Sequence, residues 1–486
     1  MANKSDKNAP KLKKNTALST VADYFKEFGT AVSKGSLGVK ISLLLMGAGY
    51  LFNGQFIKGL LVFLVEAAFI IMLVKAGVPF LSKFSTLGTV KREQVFDPLT
   101  MQNTVNDYDN SFMILLGSVV VLFTIFLFIL FYIANIKNIY KLEKNISLGR
   151  KVNSFKDDIR EMFASKFHIT LLTLPILGII LMNIIPILIL IAVAFTNYDQ
   201  NHMPPNELFT WVGFSNFVKL FSGTVTSSFG YAFRKILGWT IVWAVFATFT
   251  TFIGGVLLAR LINSKLVVAP KFWRTLFIIA IAIPQFVTLL LVRNFFADAG
   301  IVNAICSNIG ITSLLQNMGL VHGQYIPFLT DPKWAKFMII MINIWCGVPY
   351  QMLISTGVLM NIPSDQIEAA KIDGANSFQI FMNVTMPYIL FIQGPALITD
   401  FVRNINNFNV IYLLTQDVYV TKDQLLANSH GKEVDLLVTW LFRLTNEYYD
   451  YKMASVIGII VFIICALFTI ITFRRMMSGG REEVYQ

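Results

Sequence analysis

Eight stretches of this chain are apolar for long enough to cross a lipid bilayer, whose hydrocarbon core takes about 20 helical residues. They cover residues 56–75, 112–134, 167–195, 238–262, 273–296, 335–360, 388–414 and 453–473. In hydrocarbon every backbone N–H and C=O must find a partner within the protein, so runs of this length fold as helices. The expected fold is an all-α polytopic membrane protein of about eight transmembrane helices. Composition agrees, because a chain that is 55% hydrophobic and only 14% charged cannot be solvated like an ordinary water-soluble domain.

The net charge of +12 would suit nucleic acid if the cations formed one exposed patch. Instead they gather between the apolar runs. Residues 1–40 carry a net charge of +5, residues 135–166 carry +4, and Arg260, Lys265, Lys271 and Arg274 sit in a segment without acids. The alternate segments, 76–111 and 416–452, hold more acids than bases. Retention of Lys and Arg on the cytoplasmic side predicts that both termini are cytoplasmic. The first forty residues are basic (Lys4, Lys7, Lys11, Lys13, Lys14) and lack an apolar core followed by a cleavage site, which predicts a cytoplasmic tail and not a cleaved signal peptide. Residues 41–52 are apolar but too short to span; with Gly47, Gly49, Asn53 and Gly54 they suggest an interfacial or partly inserted hairpin.

This gives a domain plan: a tail and hairpin over 1–55, two amino-terminal spans with a linker over 56–166, a six-span core over 167–475, and a cytoplasmic tail over 476–486. Cys306, Cys346 and Cys465 are widely separated, and His168, His202, His322 and His430 form no cluster, so neither a metal site nor a disulfide framework is expected. No phosphate-cradling Gly-x-x-x-x-Gly-Lys-Ser/Thr segment occurs, so the chain is not expected to hydrolyse ATP itself.

Between spans six and seven, residues 361–387 have a distinctive grammar. Pro363 should end the sixth span, Ser364 or Asp365 can cap a new helix, and Asp365 and Glu368 suit its positive first turn. Gly374 offers a left-handed stop. Ser377 can cap a second short helix ending near Pro387. By itself this describes a connector of two short helices. Its spacing, Glu368-Ala369-Ala370, three residues, Gly374, nine residues, then Val384-x-Met386-Pro387, resembles the EAA loop of bacterial ABC importer permeases. Val384 and Met386 replace the family's Ile and Leu. The resemblance implies that Glu368, Ala369, Ala370, Gly374 and Pro387 couple the chain to a cytoplasmic ATPase.

A cluster of polar residues on one face of a membrane helix marks a candidate site. In span seven Asp400, Arg403, Asn404 and Asn407 fall at i, i+3, i+4 and i+7, and in span six Asn343, Gly347 and Tyr350 share a face. Facing each other, the two stripes would form a polar chamber suited to sugar hydroxyls and ring faces. They would equally serve as interhelical hydrogen bonding, with Asp400 and Arg403 neutralising each other.

Asn343-x-Trp345-x-Gly347-x-Pro349-Tyr350 and Asn404-x-Asn406-Asn407-Phe408 are similar to the larger permease subunit of maltose/maltodextrin importers, from about residue 167 onward. That similarity implies sugar contacts at Asn343, Gly347, Tyr350, Asn404 and Asn407. Relatives have small or aromatic residues where Asp400 and Arg403 stand, which leaves the exact sugar open. The external loop 196–237 is short, as in Gram-positive members.

The implied partners are a second homologous permease, an ATP-binding cassette ATPase dimer that holds ATP and Mg, and an extracellular sugar-binding lipoprotein delivering oligosaccharide, all at the bacterial plasma membrane. The competing readings are a membrane insertase or assembly scaffold, and an ion-coupled transporter using Asp400 as its proton site.

Overall fold

The computed structural model describes residues 17–97, 101–222, 228–264, 266–416 and 419–477. Among the described residues seven helices are long and apolar enough to cross a membrane, and an eighth run is a helix pair. In order the spans are Phe56–Ser82, Ser111–Ser147, Phe167–Ala194, Ser228–Ile262, the pair Pro270–Ala282 and Gln285–Phe295, Pro332–Met360, Ser377–Thr415 and Tyr451–Met476. All eight expected runs are present. Span five departs from expectation, because its two halves meet at 90°. Ile283 is extended before Pro284 (ψ 126°), as a residue preceding proline prefers, and Pro284 has no N–H to continue the ladder.

Three spans contain a π turn: Leu73–Gly77, Ile180–Ile184 and Phe381–Thr385. Each closes when the next residue, Val78, Ile185 or Met386, bonds back to Leu73, Ile180 or Phe381, and proline follows at once as Pro79, Pro186 or Pro387. The extra residue in the turn moves the carbonyl that a proline ring would strike. These helices therefore carry proline without ending.

The chain forms two compact units, residues 1–192 with 203–211, and residues 193–202 with 212–486. In the first unit, the helix Ala17–Lys34 packs on the distal part of span two. Lys137 is buried beneath the Tyr24 ring at 3.3 Å and pairs with Glu27 at 2.9 Å. This helix was not anticipated in the basic tail, whose first sixteen residues lie outside the described set. The suspected hairpin consists of two short helices, Leu37–Ile41 and Ala48–Phe52, linked through Gly47 at φ +91°. It is held by Tyr132 Oη donating to the Leu43 carbonyl at 2.8 Å and by the Met46 N–H donating to Glu66 at 2.8 Å. Its free side presents Leu44, 88% exposed, and Phe52, which suits insertion at a lipid interface. The loop between spans one and two adds a small antiparallel pair, Gln94–Asp97 with Gln102–Val105.

The second unit contains spans four to eight. Span four is its central element, with Trp239 and Trp243 buried in one core cluster shared with spans five, six and seven and the Val434–Leu436 segment. The segment 419–450 folds into a hydrogen-bonded cap. Glu433 accepts from Tyr419, Thr421 and the Lys422 and Asp423 N–H groups. Burial opposes ionisation of Asp423, yet Lys235 and Tyr231 hold its carboxyl down to about 2.

Candidate functional site

The helix of span six stops at Met360, and Pro363 precedes a short helix, Ser364–Ile372. Gly374 takes the left-handed conformation, φ +80°. Its N–H bonds the Lys371 carbonyl and the Ala375 N–H bonds the Ala370 carbonyl, both at 3.0 Å, the paired pattern of a Schellman stop. The spacing from Ala370 to Gly374 thus has a physical origin: the first supplies the carbonyl that the stop satisfies, and the second supplies the backbone angle.

Three expectations need correction here. Neither Ser364 nor Asp365 caps the first helix: both lie inside it, and the cap position is Pro363, which offers no side-chain acceptor. Asn376, not Ser377, caps the second helix: its side chain accepts from the Phe378 and Gln379 N–H groups while Gln379 accepts from the Asn376 N–H. The reciprocal box satisfies more amide groups than a serine one residue later. Nor does this helix end near Pro387. It runs from Ser377 through the π turn into span seven, with Pro387 in the first turn of Met386–Ile405.

Glu368 and Ala369 are exposed on this loop and Ala370 is half-buried. Beside them stand two residues that the motif did not flag, Ile372 at 86% exposure and Phe378 at 69%. Apolar side chains this exposed on either side of a rigid bend mark an interaction surface. Further along, Phe381 turns inward and packs with Phe252, Val256, Val358 and Ile389.

The span-seven residues do come together, though not as one stripe. Asp400 pairs with Arg403 at 2.9 Å and also accepts from Gln351 of span six at 2.6 Å. Asn404 donates to Thr248 Oγ1 of span four at 3.0 Å, and its carbonyl accepts from Trp243 Nε1 at 3.0 Å. The helix ends at Ile405, and Asn407 caps the next one, Phe408–Thr415, while donating to Asn404 Oδ1 at 3.4 Å. The asparagine run accounts for the interruption, since amide side chains compete with the helical backbone.

Span six presents its expected residues differently. Asn343 is buried, Gly347 lies against Thr251 of span four, and Tyr350 is 44% exposed. The hydrogen bonds that join spans six and seven run through Gln351 to Asp400 and through Ser355 to Gln393. In the sequence, the signal for this seam is Gln351 and Ser355, four apart in an apolar run, with Gln393 seven before Asp400.

Comparison with known proteins bears on the same region. The family model described as "Binding-protein-dependent transport system inner membrane component" matches residues 251–476, which include the loop and both polar spans. The maltodextrin transport system permease proteins MalC of Streptococcus pneumoniae and MdxF of Bacillus subtilis are 32% and 33% identical to this chain, each over 90% of it and 95% of the relative. The galactooligosaccharides transport system permease protein GanP of Bacillus subtilis is 30% identical over 90% of the chain and 96% of its own length. The insertase and ion-coupled readings have no support in this company. On the likeness of nine-tenths of its sequence to these relatives, as well as on its loop and its membrane helices, the chain belongs to the permeases of binding-protein-dependent transport systems.

Proposed function

We propose that this chain is one of two permease subunits in an ATP-driven importer of maltodextrin-type oligosaccharides, with both termini in the cytoplasm. The observation that carries the proposal is the capped, rigid loop 361–387 with Ile372 and Phe378 exposed beside Glu368 and Ala369, in a chain whose relatives include sugar permeases at 30% to 33% identity.

An ATP-binding cassette dimer, which holds ATP and Mg, takes the loop into a cleft. A second homologous permease completes the pathway, and an extracellular sugar-binding lipoprotein delivers the substrate. Closure of the ATPase displaces the loop and turns spans six and seven so that the chamber opens outward; hydrolysis resets it. Sugar steers this cycle only by its differential affinity for the two states.

The chamber reading rests on Asn343, Gly347, Tyr350, Asp400, Arg403, Asn404 and Asn407. The interruption of span seven beside Asn404 supports it, because broken membrane helices often surround transport sites. Tyr350 gives the cleanest test, since an exposed side chain can be removed at little cost to folding. Tyr350→Ala is expected to raise the half-saturating sugar concentration about tenfold, or about 1.4 kcal/mol, in an assembled transporter. Normal uptake across a sugar panel would place the chamber elsewhere. A binding screen of the cognate extracellular protein with maltotriose and a galactooligosaccharide tests the sugar class; preference for the latter overturns the maltodextrin reading.

A further inference from the structure

Span four is not adjacent in sequence to the loop 361–387, yet it is tied to it by side-chain contacts. Near its end, the Arg260 guanidinium donates to the Ser377 carbonyl at 3.1 Å and lies over the Phe381 ring at 4.3 Å. Phe381 is 6% exposed and sits among Phe252 and Val256 of span four, Val358 of span six and Ile389 of span seven. A displacement of Ser377–Ile380, the first turn of the span-seven helix, therefore presses a buried ring against the side of span four.

The same helix reaches the polar residues at two higher levels. At Gly255 a Cβ would collide with the Gln351 side chain and meet its backbone at 2.8 Å, so span four packs closely at the residue that donates to Asp400. Further along, Thr248 accepts from the Asn404 amide and Trp243 donates to the Asn404 carbonyl. Arg260 and Thr248 are about 18 Å apart along a continuous helix at 1.5 Å per residue. Such a helix carries a push at one end to the other.

We propose that Arg260 is a positioning residue that, with Phe381, makes span four a third arm of the coupling loop, delivering loop displacement to Asn404 through Thr248 and Trp243. This rests on the reading of the loop as the ATPase dock. Arginine is suited to the task because its planar group donates to a carbonyl and covers an aromatic ring at once, which a lysine ammonium does less well.

The test uses the complete transporter in proteoliposomes, measuring sugar moved and ATP hydrolysed together. R260A is expected to retain its ATPase on purification and to hydrolyse ATP at a rate within about twofold of the parent, while sugar moved per ATP falls about tenfold, within the usual range of coupling energies. R260K should fall between. T248V, which removes the bond to Asn404 at constant volume, should lower the same ratio.

An unchanged ratio in R260A overturns the proposal, as does loss of the ATPase, which would make Arg260 part of the dock itself. Should R260A fail to reach the membrane, the ratio in R260K decides in the same way. The docking reading is judged separately, by whether charge placed at Ile372 and Phe378 releases the ATPase.

Discussion

Replacing Ile372 and Phe378 together by aspartate is expected to strip the ATPase from the detergent-purified complex while leaving the membrane bundle folded. Both side chains are largely solvent-exposed, so their removal costs the isolated chain little. In the proposed complex the same positions would be buried. Each loses its apolar contact, worth about 1.5–3 kcal/mol for a fully buried large side chain, and forces a carboxylate against a protein surface. A combined loss of about 4 kcal/mol weakens binding about a thousandfold. Co-purification on a tag placed on this chain reads the result directly. An ATPase retained in stoichiometric amount would remove the loop from the interface. A bundle that unfolded instead would show that the two side chains serve the permease's own fold.

Asp435→Asn is expected to destabilise the segment 419–450 of the second unit strongly. Asp435 is 1% exposed and binds Arg443 through both oxygens, at 2.6 and 3.1 Å. It also accepts from the Lys432 N–H and from Thr439. Removing one partner of a buried pair costs about 3–5 kcal/mol, of which the half-exposed Glu447 carboxylate, 3.6 Å from Arg443 Nε, recovers part. Hydrogen exchange over residues 424–446 should rise sharply in the variant. Pairing Asp435→Leu with Arg443→Leu should recover much of the loss, because two apolar groups leave no stranded charge. Unaltered exchange in Asp435→Asn would mean that the pair adds nothing to the cap.

The membrane spans were legible because hydrocarbon sets their length and forbids polar side chains over whole stretches, a signal averaged over many residues. The bend at Pro284 and the break at Asn406 were not, since each depends on one or two residues whose effect the surrounding apolar run conceals. Around the loop, Gly374 could be read because its backbone angle is a local matter. Ile372 and Phe378 could not, as exposure is decided by the neighbours a residue lacks. The polar face was half visible. The pattern located Asp400 and Asn404, but their partners Gln351, Thr248 and Trp243 come from other spans, up to 161 residues away in sequence. The cap over 419–450 is similarly remote from local pattern: Trp239 donates to the Val434 carbonyl across 195 residues.

The π turn at Phe381–Thr385 also fixes the compass bearing of the loop. A helix that exchanges one π turn for α geometry loses one residue, and everything on its near side swings by about 100° and advances about 1.5 Å. Deleting Asn383 should therefore leave span seven in register with its neighbours while pointing Phe378 and the bend at Gly374 toward a different quarter of the surface. In the proposed complex the length of this turn would set the direction in which the permease offers its handle, and a partner that engaged two such handles at once would tolerate no error in either.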